Sequence, residues 1–149
     1  MFNLRAALQR HLFESARSLI GDEEPRGAAL VVAQAAVEVA FETVIDFAMR
    51  MRLVHDPLRE WVDTTAVRSW SPDSKRVQSL WTALTGDKVT QTSSWPSYKS
   101  GLKRRHEFAH WAAPVSREQA EEFVQAASQL VEHVVDVMAK TFPDPVETR

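Results

Sequence analysis

The chain has 149 residues and a formal net charge of −2, and apolar residues make up 44% of it. This length and composition suit one globular domain with its own hydrophobic core and exclude a disordered chain. The presence of only four glycines argues against a turn-rich β protein, and the absence of cysteine excludes disulfides and cysteine-based metal or redox sites. The slight negative charge provides no overall attraction to nucleic acid, so any phosphate binding must be local.

The first third of the chain is predicted to form two helices. Leucine and alanine recur at steps of three and four over residues 4–19, which is typical of an amphipathic helix. Residues 21–27 (GDEEPRG) contain two glycines and a proline and are expected to break this helix. A long second helix is then expected over residues 28–53.

The second helix is the most apolar part of the sequence. Its apolar run over residues 28–40 is interrupted by Gln34 and Glu38, so we expect a core helix rather than a membrane span. Charges every few residues near the N-terminus exclude the apolar segment of a secretory signal. A protein without disulfides fits a reducing compartment, and a cytoplasmic location is the expectation.

The middle of the chain is less regular. An aspartate–proline pair predicts a short helix over residues 56–62, with Asp56 as its N-cap. A further helix is expected to begin at residues 71–73 and to end at Gly86. Residues 87–94 are expected to form a loop, with room for one short strand.

The last third is predicted to form two long helices. The first is expected to be capped by Ser94 and to run to about Ala112, because a proline follows two residues later. Ser116 and Gln119 have the spacing of a capping box, which predicts the start of the final helix.

The sequence therefore predicts an all-α fold, an up-and-down four-helix bundle with one or two short extra helices. Residues 1–142 are expected to form a single domain and residues 143–149 a frayed tail. Three tryptophans, Trp61, Trp81 and Trp95, fit apolar stripes and are expected in the core.

Residues 101–110 (GLKRRHEFAH) are the most unusual stretch of the sequence, since they hold three adjacent cations and two histidines four residues apart. On a helical wheel, Arg105 and His106 fall on opposite edges of the expected core stripe, and His110 lies one turn beyond His106. The residues of that predicted core stripe are Trp95, Tyr98, Leu102 and Ala109.

One interpretation of this stretch is a zinc hydrolase. His106 and His110 have the spacing of two zinc ligands on one helical face, with Glu107 as general base. Two arginines immediately before the first histidine are poor neighbours for a dication. No third ligand follows at a recognised spacing, although Glu132 or His133 lies at about the distance of a downstream ligand. No resident metal is therefore the expectation.

The second interpretation rests on a resemblance. The motif Arg105-His106-Glu107-Phe108-Ala109-His110, late in a helix and followed by a proline and a capped final helix, resembles the HEPN superfamily of four-helix-bundle proteins. The alanine-rich second helix (VVAQAAVEVAFETVI) is also similar, and the likeness extends over residues 4–142. The resemblance implies a metal-independent endoribonuclease without cofactors that acts as a homodimer. Small single-domain proteins of this kind are often toxins of toxin–antitoxin or phage-defence systems, so an antitoxin protein is a possible partner.

The residue types suit RNA cleavage through the 2′-hydroxyl. Such cleavage needs proton transfer, for which His110 is the candidate, and a fixed cation for the phosphate, for which Arg105 is the candidate. His106 stands where the family has a polar residue that orients the site or the substrate. Lys103 and Arg104 are candidates to bind the flanking phosphates.

A non-catalytic function is the alternative. In this interpretation the domain is a nucleotide- or RNA-binding or assembly module with the same fold. In a purely structural interpretation, Arg105 instead pairs with Glu38 or Glu42 of the second helix and ties the bundle together, and His106 is an ordinary half-buried histidine. Trp111 would stack on a base or pack at a dimer interface.

Overall fold

A computed structural model describes the backbone of residues 2–20 and 26–143 and the side chains of residues 10–20 and 26–143. The fold of these residues is all-α, as predicted, and they contain no strand. The six α-helices are α1 (Phe2–Ile20), α2 (Arg26–Met51), α3 (Asp56–Trp61), α4 (Lys75–Thr85), α5 (Trp95–Trp111) and α6 (Arg117–Thr141).

Helix α2 is the centre of the fold. It packs against α1, α4, α5 and α6, and its alanines allow these neighbours to approach closely. It is also the one helix among the described residues that is long and apolar enough, by length and composition, to cross a membrane. Half of its most apolar 18-residue stretch is buried inside the fold, and the central core helix of a globular protein can have the same length and composition as a membrane span.

Several predicted helix ends are confirmed. The Ser116 hydroxyl accepts a hydrogen bond from the Gln119 backbone N–H, and the Gln119 side chain accepts one from the Ser116 N–H, both at 3.1 Å. Gly86 ends α4 in the left-handed conformation with φ of 79°. Residues 21–25 of the predicted break lie outside the described residues, whereas Gly27 lies inside α2, which begins two residues earlier than expected.

Two predicted boundaries are wrong. The N-cap of α3 is His55; Asp56 lies in the first turn, where the Arg59 guanidinium donates a hydrogen bond to it and lowers the pKa of its carboxyl. Helix α4 begins at Lys75, because residues 71–74 form a turn closed by a hydrogen bond from the Ser74 N–H to the Ser71 carbonyl. The segment 87–94 is a loop, as predicted, and it contains a single 3₁₀ turn instead of the short strand for which the prediction left room.

The tryptophans differ from the expectation in one case. Trp81 is fully buried and Trp95 packs against the core, as predicted. Trp61 is 53% exposed, so its assignment to the core is wrong. Helix α3 contains no buried residue, and the π-helical turn Val62–Ala66 that follows it returns the chain to the core at Val62.

Candidate active site

Helix α5 carries the motif, and its contacts with the core differ from the predicted stripe. Tyr98 and Gly101 are buried, Leu102 is partly buried and Ala109 is exposed, so the prediction for Ala109 is wrong. Trp95 and Leu102 pack against the core as predicted, and the inner side of α5 also includes the buried Gly101 and the half-buried Arg105 and Phe108.

Two glycines bring α5 close to its neighbours. A Cβ atom added to Gly101 would lie 1.9 Å from the Phe123 ring of α6. A Cβ added to Gly27 would lie 2.1 Å from the Phe108 ring, so Phe108 rests directly on α2. Because both rings occupy the space that a side chain would fill, they fix the position of α5, and with it the motif.

Arg105 lies at one of the packed positions of α5. Its side chain is half-buried, and its Nε atom is shielded from solvent and has no hydrogen-bond partner. Neither of the carboxylates suggested by the sequence, Glu38 and Glu42, forms an ion pair with it. Glu38 instead accepts a hydrogen bond of 2.8 Å from the Gln34 side-chain amide. The guanidinium of Arg105 is therefore positioned by packing and is not neutralised by α2.

The two histidines of the motif lie side by side on the solvent-facing part of α5. Both residues are exposed, and their ring centroids are 4.3 Å apart with an angle of 49° between the planes. The i, i+4 spacing on one helix explains this contact. The arrangement presents two titratable groups to one ligand, and each ring remains accessible to it.

An open pocket of about 420 Å³ adjoins the motif. Its basic lining comes from three α5 side chains, Lys99, Lys103 and Arg105, and His106 lies at its edge. The remaining wall is formed by Gln34, Ser71, Asp73 and Leu102. Positive groups outnumber the one carboxylate, so the pocket is suited to an anion such as phosphate. His110 does not line this pocket.

The other cations of the motif helix have different surroundings. Lys99 forms an ion pair with Asp73 across the pocket. Arg104 points towards α6, where one of its guanidinium nitrogens lies 4.0 Å from a carboxylate oxygen of Glu122. Lys103 is exposed and has no ion pair with a described carboxylate. Of the two residues predicted to bind RNA, Lys103 lines the pocket and Arg104 does not.

A buried phenol lies close to the same pocket. Tyr98 is stacked on Phe123 with ring centroids 5.3 Å apart, and its hydroxyl has no hydrogen-bond partner. Burial raises the pKa of this hydroxyl, and the negative charges of Glu38 and Asp73 raise it further. The Ser71 side chain lowers the pKa, but this is the smallest of these effects, because Ser71 forms no hydrogen bond of ordinary geometry with the phenol. Tyr98 is therefore a neutral core residue at neutral pH.

The described residues offer no complete zinc site. They contain no group of three or more histidine, aspartate or glutamate side chains arranged to hold a metal ion. The sequence suggested His133 as a distant third ligand, but its Nε2 atom lies 3.0 Å from Asp87. Asp87 also accepts a hydrogen bond of 2.7 Å from the Trp81 indole. His133 therefore belongs to a separate contact between α6 and the loop after α4.

Two pocket residues could not be associated with the motif from the sequence. Ser71 and Asp73 precede α4 and face α5 only because the chain folds back over it. Asp73 pairs with Lys99, which lies 26 residues away in the sequence, and no local pattern indicates that pairing. Comparison with protein-family models, with curated proteins and with solved structures finds no match.

Proposed function

We propose that this protein is a metal-independent endoribonuclease whose active site contains Arg105, His106 and His110. The observation that supports the proposal best is the combination of two touching, exposed histidines with an un-neutralised arginine beside a basic pocket. These are the groups that 2′-hydroxyl chemistry requires. The motif resembles that of the HEPN superfamily, and membership of that superfamily is part of the proposal.

The chemistry follows from the residue types. The 2′-oxygen attacks the adjacent phosphorus as its proton is removed, and the bond from phosphorus to the 5′-oxygen breaks as that oxygen gains a proton. The products are a 2′,3′-cyclic phosphate and a 5′-hydroxyl. His110 transfers protons, Arg105 stabilises the charge on the phosphorane-like transition state, and His106 orients the phosphate.

The proposal includes a homodimer. One chain supplies one Arg105–His110 set. In the dimer, a second set would face the first, so that the acid and the base would be two different histidines.

The proposed monomer is an up-and-down bundle of α1, α2, α5 and α6, with α3 and α4 as the short additions. Packing of α2 against α1, α5 and α6, and of α6 against α1 and α5, supports this arrangement. A cytoplasmic toxin restrained by an antitoxin protein is the proposed biological setting.

Cleavage of mixed RNA by purified protein in EDTA tests the proposal. We expect products from the wild-type chain, a loss of about 10²–10⁴-fold in rate for His110→Ala and about 10²–10³-fold for Arg105→Ala. His11→Ala and Arg117→Ala are matched controls, because both positions are exposed and lie outside the pocket. Cleavage that is absent, or that survives both motif substitutions, would sink the enzymatic proposal.

A binding module without cleavage is the second candidate. Its support is that the pocket holds Lys103 and Arg105 but not His110, so an anion can bind without reaching the outer histidine. In that case RNA or nucleotide binding should fall in Lys103→Ala and Arg105→Ala, with no product formed. Arg104→Ala should weaken binding less than Lys103→Ala, because Arg104 faces Glu122. Equal effects of these two substitutions would contradict the placement of the bound phosphate in the pocket.

A further inference from the structure

A second, larger groove lies beside α3, away from the motif helix. Its volume is about 840 Å³, and it is walled by Trp61 and Val62 on one side and by Leu80 of α4 on the other. This volume falls within the range of about 300–1,000 Å³ that is typical of ligand pockets. Trp61, which the sequence pattern predicted to be in the core, is instead half exposed and forms part of the groove lining.

The charge of this groove is opposite to that of the chain as a whole. Three cations line it, Arg68, Lys75 and Arg76, and no carboxylate does, although the chain carries a net charge of −2. Arg76 is held in place by a hydrogen bond of 2.7 Å to the Ala66 carbonyl. Arg68 and Lys75 are exposed and have no ion pair with any described carboxylate. Their charge is available to an anionic ligand.

The aromatic wall narrows the class of that ligand. Trp61 is 53% exposed, and Leu80 packs against the core at the opposite wall. Proteins bind single-stranded nucleic acid with exposed aromatic rings beside cations: the base stacks on the ring and the phosphates meet the cations.

The groove and the motif pocket lie on two sides of the same loop. Asp73 lines the pocket and Lys75 lines the groove. Because these residues are two positions apart, their Cα atoms are at most about 8 Å apart. Ser71 lines the pocket and Arg68 lines the groove, and these residues are three positions apart. The two depressions are therefore neighbours, separated by this short segment.

We propose that this groove is a second subsite for single-stranded RNA, in which Trp61 stacks on a base and Arg68 and Lys75 bind the flanking phosphates. This inference rests on the proposed function, because it makes the groove the continuation of the strand that enters the motif pocket. The same inference makes Trp61, Arg68 and Lys75, which lie far from the motif in sequence, responsible for the specificity for longer substrates.

Binding of uncleavable 2′-O-methyl RNA, labelled with fluorescein, tests the subsite. Two probe lengths are used, about 4 and about 12 nucleotides, which both lie within the range of about 4–16 nucleotides for single-strand binding sites. Trp61→Ala should weaken binding of the long probe about 5-fold or more, whereas Trp61→Phe retains a stacking ring and should keep most of the affinity. Arg68→Ala/Lys75→Ala should reduce the slope of log affinity against log salt by about 1.4. The short probe should respond to neither change.

The charge-matched control is Arg117→Ala/Lys140→Ala, which removes two exposed cations of α6. Long-probe binding that is equal in the groove and control variants would overturn the subsite, even if the wild-type chain cleaves RNA. Groove-dependent binding by a chain that cleaves nothing would support the subsite and sink only the cleavage proposal. A polyglutamate of matched charge tests an acidic protein segment as the ligand instead. If it displaces the probe as well as RNA does, and if Trp61→Ala has no effect, the subsite is overturned in favour of that segment.

Discussion

The position of the motif helix depends on Gly101, and replacing this residue by alanine tests that dependence. Gly101 is buried on α5, and the Cβ of an alanine would lie 1.9 Å, 2.5 Å and 2.7 Å from three atoms of the Phe123 ring. Phe123 is fully buried and stacked on Tyr98, so it has no free space into which to move. The new methyl group can be accommodated only if α5 or the ring shifts.

The net effect is a difference between two opposing contributions. Alanine is favoured over glycine in a helix interior by about 1 kcal/mol. Overpacking of a filled core typically costs about 1–3 kcal/mol, and the fixed ring places this case at the upper end. We therefore expect Gly101→Ala to lower the free energy of unfolding by about 2 kcal/mol and the melting temperature by about 4–8 °C.

Urea unfolding followed by circular dichroism measures this change. Gly27→Ala is the matched control, because it adds the same methyl group against Phe108, which is only half-buried and can move. Its destabilisation should be clearly smaller. The double variant Gly101→Ala/Phe123→Leu should be less destabilised than the sum of its single changes, since the smaller side chain makes room. A stabilising Gly101→Ala would refute the close approach of α5 to α6.

Two further predictions concern the residues that support the site and the final helix. Tyr98→Phe should be neutral or slightly stabilising at pH 7, because it removes a buried hydroxyl without a partner. Since burial raises the pKa of Tyr98 above its ordinary value of 10.0, the native state keeps a proton that the unfolded chain releases. Stability should therefore be intact below that pH and fall above it, and thermal melts should show a smaller alkaline loss in Tyr98→Phe; an identical loss would contradict the burial of the phenol. Ser116→Ala removes the confirmed capping box and should lower the free energy of unfolding by about 1 kcal/mol in urea titrations, whereas no change would mean that the cap does not stabilise α6.

The helical fold was predictable because the relevant signals are local. The capping box at Ser116, the left-handed stop at Gly86 and the period of α6 each depend on residues within a few positions of one another. The exposure of Trp61 could not be predicted in this way. Helix α3 has an apolar pattern, but whether an element of six residues packs on the core depends on the distant residues around it.

The candidate site was predictable only in part. The motif residues are contiguous in sequence, so Arg105, His106 and His110 could be placed on one helix. The predicted core stripe was right for three of its four residues but omitted Gly101 and Arg105, because these residues are not apolar and a count of apolar residues overlooks them. Their neighbours Phe123 and Gln34 lie on other helices, so the close approach and the pocket arise only from tertiary packing.

The most direct test of the central claim is the chemistry of the cut. A DNA oligonucleotide that contains a single ribonucleotide is incubated with the protein in EDTA, and the fragments are identified by mass spectrometry. We predict one cut, on the 3′ side of the ribose, with a 2′,3′-cyclic phosphate on one fragment and a 5′-hydroxyl on the other, and no cut by His110→Ala. Cleavage between deoxyribonucleotides, or cleavage that appears only when zinc is added, would contradict the proposed active site of Arg105, His106 and His110.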